Sequence, residues 1–164
     1  MSDLSGNKTE LFKELSKESD RGAVILACSY FEEALKGLIN IKLHDEVSDK
    51  LRKDLFEGFG PLSSLSGRVK IAYGLGLISP VEMDALKLVL KIRNKYAHYN
   101  SDIDLDQFAN DVSKTLQLMQ TNFTNQGVRA NLLSLCAILL IIIADLRPNK
   151  VDKVLVANEL DFVG

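Results

Sequence analysis

The run LLSLCAILLIIIA, Leu132–Ala144, constrains this chain more than any other stretch. Its 13 residues carry no charge, and as a helix they place apolar side chains on nearly every face. Such a segment is stable in water only when other elements cover it all round. It falls short of the ~20 residues that span a bilayer. Polar residues close both ends, Arg129 and Asn131 before it and Asp145 and Arg147 after it. The run therefore predicts a central helix, not a membrane span, with amphipathic helices packed around it.

The rest of the sequence supplies those helices. In SPVEMDAL, Ser79 as N-cap, Pro80 at the first helical position and Glu82 at the third form a capping box. DLDQF repeats the logic with Asp104 and Gln107. Asp20 and Ser48 are candidate caps for two further segments. GFGP at 58–61 and NQG at 125–127 are loop signals, and Pro61, Pro80 and Pro148 read as punctuation. Only Leu139–Ile143 and VLVA at 154–157 have strand-like composition, and neither has a hairpin partner. The expected fold is all-α, a single compact domain over residues 1–164 with about seven helices and residues 1–7 as a disordered tail. The expected helices cover about 8–18, 20–43, 48–57, 63–76, 80–96, 104–122 and 128–146, with a short eighth piece near 149–159.

Composition excludes several function classes. The net charge is −2 and the pI about 5.7, whereas a protein that coats DNA is strongly basic. The charge is uneven: residues 61–100 carry 6 basic and 2 acidic side chains, and both flanking segments are net acidic. Cys28 and Cys136 lie isolated on apolar stretches without ligand spacing, and read as buried thiols. His44 stands at a helix end, and two histidines in all predict no metal site. No cofactor motif is present: GPLSSLSGRVK is not a P-loop, and YGLGL is not a dinucleotide fingerprint. Gly74 and Gly76 suggest close packing or a helix end. The N-terminus MSDLSGNKTE does not read as a signal peptide, so the expected location is cytoplasmic. An all-α domain can hold a small-molecule pocket, but nothing in the sequence names a ligand.

The basic island ends in RNKYAH, residues 93–98. On a helix stepped at about 100° per residue, Arg93 falls between Val89 and Leu86, within a wide apolar arc that other elements should cover on more than one side. A guanidinium buried there needs a partner, and Glu32 is the candidate. Lys87, Lys91 and Lys95 form one polar stripe with Asp84 in line with Lys87 and Lys91, either a solvated face or a phosphate-touching one. His98 lies about 140° from Arg93 if the helix continues. The two can share a site only if the helix ends near Tyr96, with Tyr99–Asp102 turning back, or if a two-fold axis brings two copies together.

RNKYAH resembles the R-x4-H motif of HEPN domains, all-α and often dimeric, many of them metal-independent ribonucleases. That resemblance implies Arg93 and His98 at the RNA backbone, His98 for proton transfer and Arg93 for phosphate charge, with Asn94 orienting them. A longer match is more specific. DRGAVILACSYFEEALKGLI, LFEGFGPLSSLSGRVKIAYGLGLIS and LKLVLKIRNKYAH resemble, in order and spacing, the bacterial mannitol operon repressor family over roughly residues 18–100. This implies repression of genes for sugar-alcohol uptake and metabolism.

A recognition helix needs a basic, polar exposed face. LSGRVKIAYGLGL offers only Arg68 and Lys70. Arg68, Lys70, Lys87, Lys91 and Lys95 are thus the candidate contacts to nucleic acid or a partner. The first expectation is a non-enzymatic repressor that works through a protein partner, with direct DNA binding weak. RNA is expected only under the ribonuclease alternative, and a homodimer is left open.

Overall fold

The structure is a computed structural model. It describes the backbone of residues 4–98, 103–119, 122 and 124–160, and the side chains of 10–97, 103–119, 122 and 124–146. Seven α-helices and one 3₁₀ turn follow in order: α1 Leu4–Lys17, α2 Asp20–Asn40, α3 Asp49–Phe56, α4 Leu65–Gly74, α5 Pro80–His98, the 3₁₀ turn Leu105–Phe108, α6 Ala109–Leu118 and α7 Val128–Leu160. No strand occurs among the described residues. The all-α expectation holds.

The apolar run occupies the N-terminal half of α7, as its composition requires. Leu132, Leu133, Leu135, Cys136, Leu139, Leu140 and Ile143 are all buried, and α1, α2, α5 and α6 pack against the helix. The window Val128–Leu146 is long and apolar enough to cross a membrane by length and composition, yet half of it is buried inside the protein. The second layer is α2, which packs against α7, α4 and α5 through Val24, Ala27, Phe31, Leu35 and Leu38. This is the spacing of one helical stripe.

The caps follow the sequence with one exception. Ser79 and Glu82 exchange reciprocal bonds, Ser79 N–H to Glu82 Oε2 at 2.6 Å and Glu82 N–H to Ser79 Oγ at 3.3 Å. Ser48 Oγ accepts from Leu51 N–H, and Asp104 Oδ1 from Asp106 N–H. Asp20 is not a cap. Ser19 takes that place in extended backbone, accepting from Gly22 N–H at 3.1 Å. Asp20 instead pairs with Arg129 of α7, whose guanidinium also donates to the Glu18 carbonyl at 2.7 Å. One arginine thereby clips the α1–α2 corner to the central helix.

Several boundaries differ from expectation. The helix expected over 104–122 starts as the 3₁₀ turn and ends, as α6, at Leu118. α1 begins at Leu4, within the stretch expected as a tail, and residues 1–3 lie outside the described residues. α5 runs on through His98 instead of stopping near Tyr96, and the turn expected at 99–102 lies outside the described residues. α7 continues past Pro148 to Leu160, absorbing the expected eighth piece. A proline inside a helix forfeits one backbone hydrogen bond, and α7 runs through it without interruption.

The glycines of YGLG divide cleanly. Gly76 has φ +65° and stops α4 in a Schellman arrangement: Leu77 N–H donates to Ala72 O and Gly76 N–H to Tyr73 O. A Cβ on Gly74 would meet nothing within 4 Å. The helix-end expectation is met at Gly76, and close packing at neither.

Candidate functional site between α2, α4 and α5

The segment GFGPLSSLSGR joins α3 to α4 and is held by its smallest and largest residues together. A Cβ on Gly60 would lie 2.2 Å from the Asp54 carbonyl oxygen, and one on Gly67 would lie 2.6 Å from that of Pro61. Only glycine permits the loop to pass that close. Ser64 caps α4 by accepting from Gly67 N–H at 3.1 Å.

Arg68 then locks the loop from inside. It is only 6% exposed. Its Nε donates to the Leu62 carbonyl at 2.7 Å, one terminal nitrogen to the Glu32 carbonyl at 2.7 Å and the other toward that of Phe56 at 3.4 Å. The guanidinium also lies over the Phe56 ring, 5.5 Å from its centre. Arg68 is therefore not open to DNA or a partner, contrary to expectation. Leu65, Val69 and Ala72, buried on the same helix, carried the signal: Arg68 falls in their stripe at helical spacing. Lys70, on the opposite side, is exposed.

Arg93 reverses the expectation in the other direction. It is exposed, because the sector of α5 that holds it opens on a recess, not on a neighbouring helix. The arc around it is covered as expected, since α5 packs against α2, α4, α6 and α7. One Arg93 terminal nitrogen donates to Asn94 Oδ1 at 3.2 Å. The recess is about 290 Å³ and is lined by Arg93 and Asn94 of α5, Glu32 and Cys28 of α2, and the serines that precede and open α4. Glu32 thus faces the same space as Arg93, but no ion pair links the two among the described residues.

Cys28 is buried beside this recess. Burial pushes its thiol up to about 11; the Arg93 charge pulls it back and the Glu32 charge raises it further. Cys136, fully buried, is shifted upward by burial and by Cys28. Both stay protonated near neutral pH, which removes them as nucleophiles. They are free thiols, as expected. No cluster of metal-ligating side chains occurs among the described residues.

The lysine stripe of α5 is partly occupied. Lys91 pairs with Asp111 at 3.7 Å, not with Asp84. Lys95 donates to Gln107 Oε1 at 3.0 Å. Both ammonium groups stand over the Phe108 ring, at 5.7 and 5.6 Å. Lys87 remains exposed. Since α5 continues through His98, positions 93 and 98 lie about 140° apart around its axis.

Comparison with known proteins bears on this arrangement. No curated protein sequence matches the chain significantly. A solved structure, described as the X-ray structure of the MtlR–HPr complex from Escherichia coli, aligns with a TM-score of 0.63 at 21% identity, covering 85% of this chain and 99% of that one. At that identity the likeness concerns the fold. The family model for MtlR, the mannitol repressor, matches residues 8–139, a span that takes in the loop, Arg68 and the recess. The chain belongs to the mannitol repressor family.

Proposed function

We infer that the protein is a cytoplasmic regulator that represses genes for sugar-alcohol uptake and metabolism, and that it does so by binding a protein partner of the HPr kind. The observation that carries the indirect mechanism is the burial of Arg68. With it gone, Lys70 is the sole exposed basic residue on α4, far less than a recognition helix carries. Lys91 and Lys95, the other basic candidates, are drawn toward Phe108, and the net charge is −2. Protein partnership is supported by the family and by the solved MtlR structure, which is a complex with HPr.

A promoter–reporter fusion tests the regulatory role. Expression from the mannitol operon promoter rises when the gene for this protein is deleted and falls again on complementation. Expression unchanged by deletion rejects the repressor function.

A further inference from the structure

We propose that the recess between α2, α4 and α5 binds a small, neutral, polyhydroxylated molecule. This goes beyond the partner-binding role and stands on the recess alone. Its volume, about 290 Å³, sits at the lower edge of small-ligand sites, which begin at about 300 Å³.

The polar groups around it are under-used in a specific way. Glu32 and Arg93 carry opposite charges and line the same space, but they are not within ion-pair distance. The Glu32 carboxylate accepts from no described residue; only its backbone carbonyl is engaged, by Arg68. Arg93 commits a single N–H, to Asn94, out of five. Ser64 is committed to capping α4, while the hydroxyls of Ser63 and Ser66, which also line the recess, have no partner among the described residues. An acceptor on α2, a donor on α5, and groups that do both on α4 and α5 line one space.

This inventory selects the ligand by chemistry. A carboxylate accepts two hydroxyl protons, a guanidinium donates to two oxygens, and amides and hydroxyls do both. Neighbouring hydroxyls on a polyol each donate and accept, so they satisfy both walls at once. Leu65 and Leu90, also in the lining, offer apolar contact to the carbon chain. The Glu32 carboxylate weighs against an anion: a phosphate drawn to Arg93 and to the N-terminus of α4 would share the space with that negative charge. A cation fails for the mirror reason. The buried Cys28 thiol senses both charges, in opposite directions, which agrees with their flanking one space.

The test is titration calorimetry of the full chain with mannitol, sorbitol and xylitol, and separately with inorganic phosphate. The expected result is saturable binding of at least one polyol, weakened about tenfold or more in Arg93→Ala and in Glu32→Ala, and no phosphate binding. Neither side chain ties helices together, so both variants keep the wild-type thermal midpoint, and a lost signal reports the site and not the fold. Absence of saturable binding by all three polyols overturns the proposal. So does phosphate binding in preference to them, and so does polyol binding that is unchanged in both variants.

Discussion

The Arg68 guanidinium donates to the backbone carbonyl of Glu32 at 2.7 Å, joining α4 to a residue 36 positions earlier in the chain. The same side chain holds Leu62 and reaches toward Phe56. One charge thereby ties α2 to the α3–α4 connection that precedes Arg68, and the wall of the recess is fixed with them.

Arg68→Ala strands those carbonyls and opens space beside Phe56. Charge-assisted bonds of this kind contribute about 1.5–3 kcal/mol each, though not additively. The variant is expected to lose about 3 kcal/mol or more of stability, read as a lower urea midpoint. Arg68→Lys recovers less than half, because an ammonium cannot present the guanidinium fork to two carbonyls.

The glycines separate by position. Gly60→Ala drives a methyl into the backbone of α3 and is expected to cost about 2 kcal/mol or more. Gly76→Ala keeps a positive φ that L-residues resist, for about 1 kcal/mol. Gly74→Ala meets open space at the end of α4 and is expected to stabilise by a few tenths to about 1 kcal/mol. Urea melts of the three single variants check the order.

The buried thiols set a pH dependence. An unfolded cysteine ionises near 9.0, and Cys28 in the fold at about 11. The unfolded chain therefore releases its proton first. The stabilising contribution is complete below about pH 9 and is lost as pH rises toward 11. Cys136 acts in the same direction. Urea midpoints should hold steady from neutral pH to about 8.5 and fall above 9. The decline should be shallower in the Cys28→Ala, Cys136→Ala double variant.

The geometry of α5 also bears on RNKYAH. With its ends about 140° apart, the motif is not expected to cleave RNA from within one chain. RNA incubated with the purified protein in chelator should stay intact, with wild type, Arg93→Ala and His98→Ala indistinguishable. Cleavage by wild type that vanishes in His98→Ala would instead require two chains to meet at this face.

What the sequence made legible was local. The Ser79–Glu82 box, the Ser48 cap and the need to cover Leu132–Ala144 all follow from residue chemistry over a few turns; both caps are present, and most of the run is buried. The two arginines were harder, because helical periodicity shows which face a residue is on but not what lies against that face. Arg68 and Arg93 both fall in apolar arcs. Three carbonyls surround Arg68, one of them from Glu32 on the distant α2, while a gap between helices leaves Arg93 in the open. Asp20 failed as a cap for a similar reason: Arg129, 109 positions later, claims its carboxylate, and Ser19 caps in its stead. Contacts between residues that far apart leave no periodic trace.

The central claim is that regulation runs through a protein partner and not through direct reading of DNA. The most direct measurement is a pair of titrations of the same purified protein, one with HPr by calorimetry and one with labelled mannitol-operon promoter DNA by mobility shift. A saturable heat with HPr, alongside DNA binding that is absent or indifferent to sequence, is the predicted result. Tight, sequence-specific retention of the promoter fragment with no measurable HPr binding would contradict it.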